Sequence, residues 1–489
     1  MNIADLLRES AVTCPEQAAI LFEGRTFTYG ELDRLTNQFA AALRAGGIQT
    51  GQVIGLLLES GPELVIATLG ACKAGVVPNI VNPMLRPDEV RAVIADSAAA
   101  WLLTDSERQK GLESVRDELG VCRTLAVDME WESLLESGRE DFGTVDLPPN
   151  TMACLLYTSG TTGRPKGVML THRNIVDNAV QFGRVHFQSA DRLLVAAPLF
   201  HCWGLVNGLL GIFSTRGTAV IVRRFKAEPL LDLIETLRPT QLMGVPAMIN
   251  LLTHSPTRSR RDLLSLRVIH SAAAPMPTEL IAALRDDWKV GYAESYGLTE
   301  VSPVITTTPP EAMRPGSCGR AMGDTRLKVV DPKGQTLGIE EVGELWAQGT
   351  AVSAGYYRQP QATAEVFVAE GWFRTGDIVR MDADGYVFIV DRAKDMINVG
   401  GEKVYPRDVE EVLFRHSAVA DAVVLAASDS LLGEVPRAVV VLRPGITVSA
   451  EELLAFLRPA LATFKLPRSI EFVTAVPRSA SGKALRRLL

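Results

Sequence analysis

Residues 157–167 read YTSGTTGRPKG: the hydroxyls of Thr158, Ser159, Thr161 and Thr162, the glycines Gly160 and Gly163, and the single lysine Lys166 follow directly on the apolar run 155–157. Glycines let successive backbone N–H groups turn toward an anion, hydroxyls add donors, and a lysine adds a mobile positive charge. Together they describe a loop that grips phosphate. A flexible linker does not fit, because the stretch leaves one apolar run and enters another, GVMLTHRNIV. Nor is it a Walker A loop, since Lys166 is preceded by Pro165 and followed by Gly167 rather than by Ser or Thr.

Other residues further along have bland readings when taken alone. Tyr296 in SYGLTE (295–300) is by itself a core aromatic. Asp377 in RTGD reads by itself as a turn or cap residue, and Lys483 in SASGKALRR as a solvated lysine. His201, in PLFHCWG, has by itself the surroundings of a hydrogen-bonded structural histidine.

The elements that must position these residues change character along the chain. From Thr28 to about residue 237, amphipathic stretches such as GELDRLTNQFAAALRAGG alternate with short apolar runs (VIGLLLE, AAWLLTD, RLLVAAPL, TAVIVRR), which predicts βα units and mainly parallel sheet. From about 316 to 390, closely spaced turns (DPKGQTLG, DADGYV) between TRLKVVD, GELWAQG and YVFIVDR predict antiparallel strands. After residues 391–395 the pattern becomes helix, strand, strand, helix (PRDVEEVLFRH, DAVVLAA, PRAVVVLRP, SAEELLAFLRPAL), a compact α+β unit. The expected fold is α/β. A large N-terminal domain (1–393) carries βα-unit sheets and a small β-barrel-like subdomain, and a small α+β domain (394–489) follows.

Bulk composition bounds the function classes. The 489 residues are 47% hydrophobic and 22% charged, as in globular protein with a sizeable core. A formal net charge of −7 gives no basic footprint for nucleic acid. Six cysteines (Cys14, Cys72, Cys122, Cys154, Cys202, Cys318) lie scattered without metal-ligand spacing, which predicts reduced, buried thiols. The start MNIADLLRESAVT has no long apolar core, and no run reaches the roughly 20 residues a bilayer requires. A cytoplasmic protein without a membrane anchor is expected, either monomer or homodimer.

YTSGTTGRPKGV resembles the phosphate-loop signature of the acyl-adenylate-forming superfamily, which comprises acyl-CoA synthetases, adenylation domains of nonribosomal peptide synthetases and firefly luciferase. The family's other motifs are matched in order from end to end: YGEL (29–32), KAGVVPNIVNP (73–83), APLFHCWG (197–204), SAAAPM (271–276), SYGLTE, then GELWAQG, GYY and WFRTGD (343–377), DRAKDMINVGGEKVYP and PRSASGKALRR.

That resemblance implies roles. Thr158, Ser159, Gly160, Thr161, Thr162, Gly163 and Lys166 would hold phosphates. Ala272, Ala273, Ala274, Pro275, Glu294, Ser295 and Gly297 would surround the adenine, with Tyr296 stacked on it. Thr299 would touch phosphate, Glu300 would hold Mg²⁺, and Asp377 with Arg392 would take the ribose hydroxyls. Lys483 would stabilise charge as a carboxylate attacks the α-phosphorus of ATP. Lys394 matches the family's hinge between an adenylating and a thioester-forming pose of a mobile C-terminal domain. Gly400 and Gly401 would let pantetheine pass, Phe464 and Lys465 fall where relatives guide CoA, and Lys465 reads equally as a surface charge. His201 corresponds to a family residue near the acid's carboxylate.

Two departures stand out. Ala272 and Ala273 occupy positions where the family often has glycine, and Glu294 stands where Asn or Gln is common. Relatives specific for α-amino acids usually carry an Asp where this chain has HCW, so an amino acid is disfavoured. Trp203, Val206, Asn207, Gly244, Val245 and Ser271, with Ala272 and Ala273, make a mostly small or apolar candidate pocket, which suits an aliphatic or aryl acid. The implied activity is an ATP- and Mg²⁺-dependent acid–CoA ligase. The alternative is an acyl-AMP ligase or stand-alone adenylation enzyme that loads an acyl carrier protein; a luciferase-like oxygenase and a silent homologue complete the set.

Overall fold

The computed structural model describes residues 1–158, 165–392, 395–399, 402–429, 432–478 and 484–489. Among these residues four sheets form. The six-stranded sheet runs Arg123–Ala126, Trp101–Thr104, Val53–Leu56, Val77–Ile80, Met152–Thr158, Lys166–Thr171, and is parallel except for its last, antiparallel hairpin. The nine-stranded sheet has a parallel centre, Gly291–Gly297, Val268–Ser271, Gln241–Met243, Arg192–Val195, Thr218–Ile221 and Ala18–Phe22, flanked by antiparallel edge strands.

Strand alternation explains how these sheets stack. Successive side chains point to opposite faces, so a strand buried on both sides divides its residues between two cores. Leu193 and Val195 enter the central core while Leu194 and Ala196 enter an outer one; Ile54 and Leu56 likewise face inward, with Val53 and Leu57 outward. The central core is filled by helices Tyr29–Ala45, Pro62–Lys73 and His172–His186, which are therefore sandwiched between the two sheets. Helices Ala227–Leu237, Pro246–Thr253 and Thr278–Asp286 cover the outside of the large sheet, and Pro87–Ser97 the outside of the other. The helices start as their sequences specify: Thr28 and Thr171 each accept an N-terminal backbone N–H.

The small subdomain is an antiparallel meander of Arg326–Val330, Gly343–Gln348, Phe373–Met381 and Val387–Arg392, with its own core of Val329, Leu345, Ala347, Phe373, Val379 and Val387. Tyr296, Val301 and Ile305 of the large domain belong to that same core, so the subdomain is seated on the C-terminal end of strand Gly291–Gly297. The C-terminal unit packs helices Pro406–Phe414 and Ala450–Leu457 on a sheet built around the hairpin Val419–Asp429 and Gly433–Leu442. Among the described residues no helix is long and apolar enough to cross a membrane. The cysteine expectation needs correcting: all six are free thiols, but Cys122 is exposed and Cys14 half-buried, because both sit in surface connections outside the sheets.

Candidate active site

Four neighbouring parallel strands of the large sheet end side by side, and each hands its chain to one of the motifs. Arg192–Val195 leads to APLFH, Gln241–Met243 to GVP, Val268–Ser271 to SAAAP, and Gly291–Gly297 to the turn Thr299–Val301. In open α/β sheets the crevice beyond the carboxyl ends of strands is where ligands bind, because the connecting loops diverge there. Residues scattered over about a hundred positions are thereby collected on one rim.

The side of that rim expected to take the nucleotide is held by hydrogen bonds between distant elements. The Tyr296 hydroxyl donates to Asp377 Oδ2 at 2.6 Å, with both residues buried, at 8% and 3% exposure. Burial, reinforced by the adjacent carboxylate, pushes the Tyr296 phenol well above its ordinary pKa, so it remains a donor. Asp377 faces Arg392 across the strand pair Phe373–Met381 and Val387–Arg392, which places the two expected ribose contacts at one level of the meander. Gly297 is required by close approach: a Cβ there would lie 1.7 Å from the Pro303 carbonyl oxygen.

Thr158 and Lys166 face each other across the hairpin Met152–Thr158 and Lys166–Thr171, so the glycine-rich stretch is its connection. Ser159, Gly160, Thr161, Thr162 and Gly163 lie outside the described residues. Segment 353–357 pairs with the second hairpin strand through Met169 N–H to Gly355 O (2.9 Å) and Tyr357 N–H to Gly167 O (2.7 Å). Its Ser353 N–H donates to Glu300 O (2.9 Å), and the Tyr356 hydroxyl donates to Glu300 Oε1 (2.9 Å). Lys166 Nζ stands 4.8 Å from the Tyr356 ring centroid. Glu300, a half-buried hard donor, and Lys166 thus share one neighbour. Tyr356 was not singled out from sequence, although GYY was noted; its partner is 56 positions away.

Glu294 pairs in register with Ser271 and accepts the Tyr292 hydroxyl at 2.9 Å. Burial raises its carboxyl pKa to about 7, against the opposing pull of that hydroxyl, of the Arg407 charge and of the Met276 N–H. Arg407, at the start of helix Pro406–Phe414, reaches back to the meander: its N–H donates to Asp391 Oδ2 at 3.1 Å and its guanidinium to Ile389 O at 2.5 Å. Ala273, where the resemblance leads one to expect glycine, is held at φ +73°. That left-handed conformation costs an L-residue roughly 1–2 kcal/mol, so the site keeps the backbone shape without the residue that adopts it freely.

The side expected to take the acid is built by packing. Trp203, Val206 and Asn207 sit on the buried, wide-turned π-helical segment Trp203–Leu210, and His201 begins it by accepting the Leu205 N–H. Asn207 is fully buried and donates to Asn178 Oδ1 (2.9 Å), which makes it part of the supporting wall. Gly244 is different: a Cβ there would meet nothing closer than 3.8 Å, with Met248, Ala196 and Ile249 its nearest neighbours. Val245 and Ser271 are buried beside it.

In the C-terminal unit, Phe464 packs against the small core and Lys465 forms an ion pair with Asp408, which gives both a structural partner. Lys394, Gly400, Gly401, Lys483 and the side chain of Arg392 lie outside the described residues.

The chain matches the AMP-binding enzyme family over residues 7–357 and the AMP-binding enzyme C-terminal domain over 408–483. It is 36% identical to a feruloyl-CoA synthase of Amycolatopsis sp, covering 96% of this chain and 95% of that one. It is 32% identical to 4-coumarate-CoA ligase 1 of Narcissus pseudonarcissus, covering 96% and 89% respectively. The crystal structure of an anthranilate CoA ligase in complex with anthranoyl-AMP superposes with a TM-score of 0.95 at 27% identity, over 100% of this chain and 96% of that one. With the motifs in order, the strand ends converging on one rim and both domains matched, the chain belongs to the AMP-binding enzyme family, the acyl-adenylate-forming superfamily.

Proposed function

We propose that this acid–thiol ligase, which uses ATP, Mg²⁺ and CoA, activates an aromatic carboxylic acid. The carboxylate attacks the α-phosphorus of ATP, pyrophosphate leaves, and the CoA thiol then displaces AMP from the acyl-adenylate. A carboxylate is already ionised at neutral pH, so no general base is needed for the attack. What the chain must supply is placement and fixed charge. Tyr296 and Asp377 hold the nucleoside, Lys166 and the loop 158–163 hold the phosphates, and Glu300 offers the carboxylate for the metal that offsets phosphate charge. Lys483 serves the first step, Lys394 is the hinge, with the domain cut at 393/394, and the small domain, carrying Gly400 and Gly401, serves the second.

The observation that carries the aromatic reading is the pairing of buried apolar residues, Trp203 and Val206, with a side-chain-free position at Gly244, where a Cβ would meet nothing closer than 3.8 Å. The relatives named above support it, since feruloyl, coumaroyl and anthranoyl groups are all aromatic. The test is pyrophosphate release by the purified protein with MgATP, on benzoates, cinnamates and fatty acids of graded length, with and without CoA. CoA-stimulated turnover led by the aromatic acids is expected. A lead by alkanoic acids would overturn the aromatic reading, and release indifferent to CoA would point to a carrier-protein acceptor.

A further inference from the structure

Glu300 and Lys166 are the two charged groups of opposite sign expected to face the triphosphate, and both meet Tyr356. Its phenol donates to Glu300 Oε1 at 2.9 Å, and Lys166 Nζ lies 4.8 Å from the centre of its ring. Among the described residues the phenol is Glu300's sole side-chain hydrogen-bond partner, and no carboxylate lies within ion-pair reach of the Lys166 ammonium. A lysine and a glutamate that share a neighbour would gain by neutralising each other, yet each meets a different part of Tyr356, the carboxylate its hydroxyl and the ammonium its ring face. Tyr356 is itself pinned. Its N–H donates to Thr363 Oγ1 (3.0 Å), its ring meets Phe367 edge-on at 5.8 Å, and it bridges to Val168 on the strand that begins with Lys166.

We infer that Tyr356 is a positioning residue that keeps the metal-binding carboxylate and the phosphate-binding lysine apart and aimed: the hydroxyl fixes Glu300, and the ring face holds the Lys166 ammonium. The inference rests on the reading of Glu300 as the metal carboxylate. The site's donors fit that reading. One oxygen of Glu300 accepts the phenol, the other is left for a hard cation, and the lysine charge stays available for phosphate oxygens. The ring face attracts the ammonium without offering it a competing carboxylate.

Tyr356→Phe keeps the ring and deletes the hydroxyl. Binding of ATP with and without Mg²⁺, and of AMP, would be measured by calorimetry on the full chain, beside Glu300→Gln and a melting curve for each variant. AMP has no β- or γ-phosphate, so it does not use the Glu300–Lys166 pair and reports the rest of the site. For Tyr356→Phe we expect the Mg²⁺-dependent gain in ATP affinity to fall about tenfold, the scale of a lost hydrogen bond to a charged group, with AMP affinity unchanged. Glu300→Gln should lose more of the same gain. If Glu300→Gln loses it and Tyr356→Phe does not, the positioning role is overturned and the metal reading stands. If neither loses it, the metal reading falls and the inference with it. Equal weakening of MgATP and AMP in Tyr356→Phe would show a merely structural tyrosine and also overturn the inference.

Discussion

The proposed nucleotide side and the proposed acyl side of the rim are made by different physics. On the nucleotide side, paired polar groups tie one sheet to another: Tyr296 of the large sheet to Asp377 of the meander, and Tyr356 beside the phosphate hairpin to Glu300. On the acyl side the named residues are packed, with Trp203 and Val206 buried on one helix and Gly244 leaving room between Met248 and Ala196. Hydrogen bonds between charged and polar partners fail steeply when one member is removed, whereas packing is graded in volume. The nucleotide end should therefore be intolerant and indifferent to the acid, and the acyl end tolerant and selective.

The largest effect should come from Asp377→Ala. It strips the buried Tyr296 phenol of its acceptor and removes the carboxylate expected at the ribose. The catalytic efficiency for ATP should drop about a hundredfold or more, with the same factor for every acid accepted. Steady-state ATP titrations with three unlike acids check it, and a loss that depends on the acid would erase the contrast between the two ends.

Gly244→Val should act the other way. The space around that Cα admits a Cβ in ordinary contact, and the two further carbons of valine would compete with a bulky acid for the space beyond it. Efficiency with ring-substituted acids should fall about tenfold to a hundredfold, as for steric discrimination in apolar pockets, while small acids and the KM for ATP change little. Competition assays between a substituted and an unsubstituted benzoate would show the shift directly; equal loss for both would mean that Gly244 does not face the acid.

How much of this was legible in the sequence follows the same division. Runs such as VIGLLLE and PRDVEEVLFRH carry their own periodicity, and they became the strand Val53–Leu56 and the helix Pro406–Phe414. The strand-end motifs were legible because each is a local string of turn and donor residues. Their partners were not. Tyr296 and Asp377 are 81 positions apart, and Tyr356 and Glu300 56 apart, so only the topology of the sheets joins them. Arg407 reaches Asp391 and Ile389 of the meander from helix Pro406–Phe414, which no periodicity announces. The methyl at Ala273 was visible as a departure from the motif, but its left-handed backbone emerges only once strand Val268–Ser271 fixes the direction in which the loop must leave.

Glu294 gives the finest probe of the nucleotide end, because its effect depends on pH. Burial raises its carboxyl from an ordinary value of 4.5 to about 7. Well below pH 4.5 both folded and unfolded chains hold the proton, and the group imposes no penalty. As pH rises toward 7 the unfolded chain ionises first, so folding stability declines, and above about 7 the decline is complete. Glu294→Gln keeps an acceptor for the Tyr292 hydroxyl and removes the ionisation. Its melting temperature should match the parent's near pH 4.5 and exceed it at pH 8, by an amount on the order of a few kcal/mol in stability. Affinity for AMP should respond more mildly. An ionised Glu294 is a better acceptor for an adenine amino group, so parent affinity should tighten a few-fold from pH 6 to 8 where the Gln variant stays flat. Tight and flat profiles in both proteins would place the adenine away from Glu294, and the carboxyl would then be a structural group of the strand Gly291–Gly297 alone.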